Sequence, residues 1–280
     1  MNLMALDGLP DFSRGPRSPE LALRLHAIRE AGYEGVQFIE PLKPGETEIC
    51  ERLGLGRCSL GRVNDPCDAD VLATRFADEG QECATLHVGW GIEDDAEACA
   101  LIEAVLEASD RHRAPLFVET HRATIFQDLW RTVQFVRRYP DLRFNGDFSH
   151  WYTGLEMVYG GFERKLEFIA PVLERVRFLH GRIGNPGAIQ VDIGDGDASQ
   201  RPYVDHFRRL WTASFAGFLR NAHSGDYILF VPELLAPSIY YGRVFPDATG
   251  ALREESDRWE QSLVLRRIAR ACFEAARQAG

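Results

Sequence analysis

The chain has 280 residues, 45% of them hydrophobic and 26% charged, with a formal net charge of −10 at pH 7. That is an ordinary globular composition, long enough for one large barrel or two small domains. The acidity argues against a nucleic-acid backbone as partner, which needs concentrated Lys and Arg. No apolar run approaches the ~18–20 residues that cross a bilayer. The opening M-N-L-M-A-L-D-G-L-P lacks the charged region and long apolar core of a secretory signal, so the cytoplasm is the expected compartment.

Short apolar runs alternate with longer amphipathic segments, the pattern of βα units around a parallel sheet. Eight strands are predicted, at Leu3–Leu6, 35–39, 57–63, 84–88, 115–119, 143–147, 176–180 and 227–233. Helices are predicted between them. One follows Ser18-Pro19-Glu20 and stops at Ala31-Gly32, and another runs from Asp94-Asp95 through Ala108. A third is capped by Thr124 and halted by Pro140, and others cover 162–174, 203–222 and 254–276. Eight strands with about as many helices predict a (β/α)8 TIM barrel, whose usual size is ~250 residues. The rival, an open doubly wound sheet, lacks a G-x-G-x-x-G turn after the first strand. No Gly-, Ser- or Pro-rich linker divides the chain, so residues 1–280 are read as one domain. The long irregular stretch 184–202, with G-N-P-G and G-D-G-D, is expected to act as a lid.

Four late apolar runs end in groups that bind cations: P-L-F-V-E at Glu119, R-F-N-G-D at Asp147, R-F-L-H at His180 and I-L-F-V-P-E at Glu233. A lone strand-terminal acid is more often a helix cap or rim charge, and a lone buried histidine more often a satisfied core residue. Four at consecutive strand ends of a barrel, all at the mouth where catalysis sits, read instead as one site. Three oxygens and one nitrogen suit Mn, Mg or Co better than a thiolate-bound structural zinc. The six cysteines (50, 58, 67, 83, 99, 272) form no C-x-x-C pair and are expected to be reduced thiols. The only lysines, Lys43 and Lys165, end no strand, which disfavours Schiff-base chemistry.

Neighbouring positions add candidates. In E-T-H-R, His121 lies two past Glu119 and shares its face if the strand continues. Arg182 bears the same relation to His180, and His150 lies three past Asp147. Glu40 and His87 end earlier strands, and Trp90 and Trp151 follow strand ends, where an aromatic can stack on a sugar. Structural roles compete with each of these. Arg182 has Asp192 as an alternative partner, and a tryptophan is more often packing.

The motifs V-E-T-H-R, G-D-F-S-H, H-G-R-I-G and V-P-E-L resemble the xylose isomerase-like TIM barrels, sugar and sugar-phosphate isomerases and epimerases. The resemblance spans most of the chain and is specific from about residue 115 to 240. It implies that Glu119, Asp147, His180 and Glu233 bind one divalent metal, Mn foremost, with Mg, Co or Zn as alternatives. It implies that His150 and Arg182 bind substrate oxygens; His121, His87, Glu40 and Trp90 stand beside them as candidate substrate contacts from their places at or past strand ends. Glu119 and Glu233 would also move the proton, through an enediolate of a small sugar-derived substrate. The lysine motif of true aldose–ketose xylose isomerases is absent, which counts against a two-metal hydride shift, and the acidity does not fit the related abasic-site nucleases. Two other readings stand: β-elimination from a 3-keto-glycoside, and an inactive sugar-binding barrel. Homo-oligomers are common for such barrels.

Overall fold

The computed structural model describes residues 1–199 and 201–279. In chain order the strands are β1 Gly35–Phe38, β2 Gly56–Val63, β3 Cys83–Val88, β4 Leu116–Glu119, β5 Phe144–Asn145, β6 Val176–Gly181 and β7 Leu229–Pro232. They form one 7-stranded sheet in sequence order, and every pairing is parallel. The helices are α1 Leu21–Glu30, α2 Glu46–Leu53, α3 Pro66–Asp78, α4 Asp95–His112, α5 Leu129–Arg138, α6 Phe148–Gly154, α7 Phe162–Phe168, α8 Ala170–Leu173, α9 Pro202–Leu219 and α10 Arg258–Ala279. A small antiparallel hairpin, β8 Val244–Pro246 with β9 Leu252–Glu254, stands between β7 and α10.

The predicted first strand is corrected. Leu3–Leu6 is a 3-10 turn, because Asn2 caps it: its side-chain oxygen accepts from Met4 N at 2.9 Å. Met1 and Asn2 take the eighth place. Gln37 N donates to Met1 O at 2.9 Å and Asn2 N to Pro232 O at 3.2 Å, which closes the ring between β1 and β7. The (β/α) barrel is therefore complete although one stave is two residues long.

Other boundaries moved for local reasons. The Thr124 hydroxyl donates to His121 O at 2.7 Å within a loop, and Asp128 caps α5 instead. The helix predicted over 162–174 breaks at Ile169, where Pro171 cannot donate a backbone hydrogen bond. Residues 252–254 pair with β8, so the last helix starts at Arg258. The irregular stretch after β6 is tied down rather than open. Ile189, Gln190, Val191 and Ile193 are buried, Gln190 exchanges hydrogen bonds with the Leu235 backbone at 2.8 and 3.0 Å, and Ile193 N donates to Gln261 at 3.0 Å.

Strand alternation sorts the barrel interior into layers. Cys58, Cys83, Phe178 and Val231 form an apolar plug with Phe117 and Leu229 packed on it. Two residues further along the same files come Thr85, Glu119, His180 and Glu233, and beyond them Arg62, His87 and Arg182. The plug fills the lower interior, so the polar layer is confined to the C-terminal end. A cleft of about 920 Å³ opens at the opposite end, beside Tyr33, Arg57 and Tyr227, away from this layer. Among the described residues no helix is long and apolar enough to cross a membrane.

Candidate metal centre

β4 ends on Glu119, β6 carries His180 as its penultimate residue, and Glu233 follows the last residue of β7. Asp147 arrives differently. β5 is short, its register shifts at Phe144/Asn145, and Asp147 both caps α6 and faces inward, its Oδ1 accepting from Ser149 N at 3.1 Å and Ser149 Oγ at 2.5 Å. One ligand atom from each of the four residues lies within 4.8 Å of the others, and all four side chains are buried.

His180 lies between the carboxylates. Its Nε2–H donates to Gln37 Oε1 at 2.9 Å, which leaves Nδ1 towards Glu119 Oε2 at 3.4 Å, Glu233 Oε2 at 3.5 Å and Asp147 Oδ2 at 4.0 Å. Burial alone would lower this imidazole's pKa, but Glu233, Glu119 and Asp147 carry it up to about 9. Burial and the neighbouring acids raise the Glu233 carboxyl despite His180 and Arg182. Glu119 is held well below the usual carboxylate range, since His180 and His87 outweigh its burial. Asp147 is likewise lowered, with Arg182 and His150 overcoming burial. Arg182, 1% exposed, pairs with Asp147, meets Glu233 Oε2 at 3.1 Å and donates to Ser149 Oγ at 3.0 Å.

The donor set fits a divalent cation. Three carboxylates and one imidazole converge, and Glu119 Oε1 is buried without a hydrogen-bond partner. An unpaired buried carboxylate oxygen costs several kcal/mol unless a cation meets it. The remaining oxygens are oriented by amides: Asn2 Nδ2 donates to Glu233 Oε1 at 2.9 Å, and Asn145 Nδ2 to Glu119 Oε2 at 3.0 Å.

Three further histidines line one side. His87 Nε2 is 3.3 Å from Glu119 Oε2, and the ring packs at a tilt against His121 (centroids 4.1 Å), which packs at a tilt against His150 (3.8 Å). β4 ends at Glu119, so His121 reaches this row of rings from the loop and not as a continued strand. Burial and His150 push the His121 pKa down to about 2, so it is neutral at physiological pH. Buried His150 sits 3.2 Å from Arg182 NH2 and 3.4 Å from Asp147 Oδ2. Glu40 lies past the end of β1, exposed and outside the cluster, and Trp90 is 52% exposed at the rim with Arg62 over its ring at 4.2 Å. Trp151 is core: fully buried, it donates to Phe126 O at 2.8 Å.

Asn2, Gln37 and Asn145 were not anticipated as parts of the site. A polar residue interrupting the runs G-V-Q-F and R-F-N-G was the available signal. Tyr241, from the loop after β7, roofs the site. Its ring lies 4.7 Å from the Arg182 guanidinium and 5.3 Å from that of Arg122, and its hydroxyl is 3.5 Å from His121 Nε2.

No family model matches the chain, and no curated protein matches it. Solved structures do. A xylose isomerase-like TIM barrel protein from Mycobacterium smegmatis in complex with magnesium superposes with a TM-score of 0.61 at 13% identity, covering 98% of this chain and 96% of that one. The probable 3-DHS dehydratase AsbF from Bacillus anthracis gives 0.53 at 13% identity, covering 76% and 87%. Endonuclease IV from Thermus thermophilus gives 0.50 at 17% identity, covering 91% and 94%. At these identities the likeness is one of fold.

Proposed function

We propose that this chain, which has the fold of the xylose isomerase-like TIM barrels, is an enzyme that moves a proton beside the carbonyl of a sugar or sugar-derived substrate. Glu119, Asp147, His180 and Glu233 would hold one divalent cation, manganese by preference. When bound, the cation supplies Lewis-acid polarisation of that carbonyl.

The observation that carries the reading is the position of Glu119 and Glu233 on either side of His180, at 3.4 and 3.5 Å from its Nδ1. Two carboxylates entering from β4 and β7 can meet opposite faces of one carbon. One takes the proton as general base and the other returns it, to the opposite face in epimerisation or to the adjacent carbon in isomerisation. Arg182 acts as a positioning residue, because its donors are already committed to Asp147, Ser149 and Glu233. His150, His121 and Tyr241 stand beside the carboxylate cluster, and there they would orient substrate oxygens and exclude water.

The test is Glu119→Gln and Glu233→Gln, each expected to lower turnover by ~10²–10⁴-fold, the worth of a positioned acid or base. Near-normal rates in both with cation bound would end the carboxylate role. A protein that takes up no stoichiometric metal and shows no thermal shift with manganese would instead be an inactive sugar-binding barrel.

Elimination is the second reading, favoured by the fold shared with a probable dehydratase. Proton abstraction is common to both routes, and a leaving group β to the new carbanion then departs. Aglycone released from 3-keto-glycosides identifies elimination, whereas deuterium exchange into ketoses without cleavage identifies isomerisation or epimerisation.

A further inference from the structure

The groups at the barrel mouth are shut in. Glu119, Asp147, His180, Glu233, His150 and Arg182 are all buried, whereas Tyr241 and His121 above them are half-buried. The Tyr241 ring lies 4.7 Å from the Arg182 guanidinium and meets the His150 ring edge-on at 6.4 Å. Its hydroxyl is 3.5 Å from His121 Nε2, so the loop after β7 touches the loop after β4 across the site. A ligand arriving from the mouth meets this contact before it meets a carboxylate.

Tyr241 stands on a loop built to move as one piece. At one end Leu235 exchanges hydrogen bonds with Gln190 at 2.8 and 3.0 Å. At the other, Arg243 Nε donates to Glu255 at 2.9 Å, and Glu255 N donates to Arg243 O at 2.9 Å. Between these anchors the backbone bonds within itself, Ile239 N to Ala236 O at 3.2 Å and Tyr240 N to Pro237 O at 2.9 Å. The two ends come so close that a Cβ on Gly242 would meet Pro237 Cδ at 2.9 Å and Leu235 O at 3.0 Å. A loop closed on itself in this way can pivot without unravelling. Tyr240, 93% exposed, does not hold it down, and its φ of 67° is left-handed, a costly conformation for a residue with a Cβ. Backbone strain of this kind collects at clamps and switches. A strained hinge set against one cation–π contact leaves the closed and open loops close in energy.

We propose that residues 236–242 are the gate of this site and Tyr241 its latch: cation and substrate pass when the ring lifts from Arg182. This rests on the cation site proposed above. The test uses two variants that push the gate in opposite directions. Manganese association is followed by stopped flow and dissociation by EDTA chase. Tyr241→Ala removes the latch and should speed both by about tenfold, the worth of one such contact, with Kd unchanged. Tyr240→Gly relieves the left-handed residue of the closed loop and should slow both by about two- to fivefold, again with Kd unchanged. Unaltered rates in both variants, or a change in Kd carried by dissociation alone, overturn the gate, because Tyr241 is then a fixed part of the site.

A second arm, on metal-free protein, reads the gate apart from the cation. Carbethoxylation of His150 by diethyl pyrocarbonate is measured by mass spectrometry against exposed His26. It should be fastest in Tyr241→Ala and slower than native in Tyr240→Gly, which keeps the shielding ring. Equal His150 rates in native and Tyr240→Gly proteins overturn the gate even if Tyr241→Ala does not fold. The expected order of rates without manganese uptake by any of the three proteins overturns the cation site and leaves the gate standing.

Discussion

Gln37 decides which nitrogen of His180 is offered to a cation. Its Oε1 accepts from His180 Nε2 at 2.9 Å and from Asn2 Nδ2 at 3.0 Å, and its Nε2 donates to Thr85 Oγ1 at 3.2 Å; a flipped amide would set its NH2 against Asn2 Nδ2, which can only donate. Gln37→Leu should weaken manganese binding by ~10–100-fold, the usual cost of removing such a partner, with far-ultraviolet circular dichroism unchanged. An unaltered affinity would deny Gln37 this role. The raised pKa of His180 gives a pH dependence of known sign. Without metal the ring is protonated below about pH 9, while a ligand must be neutral, so binding displaces about one proton. Manganese affinity should therefore rise towards pH 9, by up to about tenfold per pH unit, and level off above it. Calorimetry between pH 6 and 9.5 in buffers of different ionisation enthalpy measures both the slope and the proton.

Close helix contacts set the sensitive points at the scale of elements. α9 lies against the end of α8 so closely that a Cβ on Gly217 would meet Glu174 Cα at 2.6 Å and Leu173 O at 2.9 Å. Alanine there gains ~1 kcal/mol of helix propensity, but overpacking against backbone that cannot rotate away costs ~1–3 kcal/mol or more. Gly217→Ala should therefore lower the urea midpoint. Gly154, at the end of α6 with nothing within 4 Å of an added Cβ, is the control, and its alanine variant should be neutral or more stable. Elements with their own caps and periodicity were legible in the sequence. Asp94 and Glu97 form a capping box at the start of α4, where a helix was expected. Leu3–Leu6 was not legible, because the apolar run L-M-A-L does not reveal that Asn2 will cap the turn. Nor was the division of 162–174, which Pro171 signals but does not locate.

Across the whole molecule, the candidate ligands come from β4, the end of β5, β6 and β7, so a cation would tie together an arc of half the barrel. Folding and metal binding are then linked, and cation at 100 times its Kd should stabilise the native state by about 2.7 kcal/mol. Chelation should lower the melting temperature, and manganese should restore it. A melting temperature indifferent to both would count against a resident ion. The sequence by itself determined the parallel βα order and that Glu119, Asp147, His180 and Glu233 stand at or near the points where apolar runs stop. Those depend on alternation and on where an apolar run stops, which are properties of neighbouring residues. Only the tertiary structure decided that Met1 and Asn2 close the ring, that His87, His121 and His150 pack against one another along one wall, and that Tyr241 roofs it between Arg122 and Arg182. Each of these joins residues tens to hundreds of positions apart, and local preference carries no information about which distant side chains a closed barrel will bring face to face.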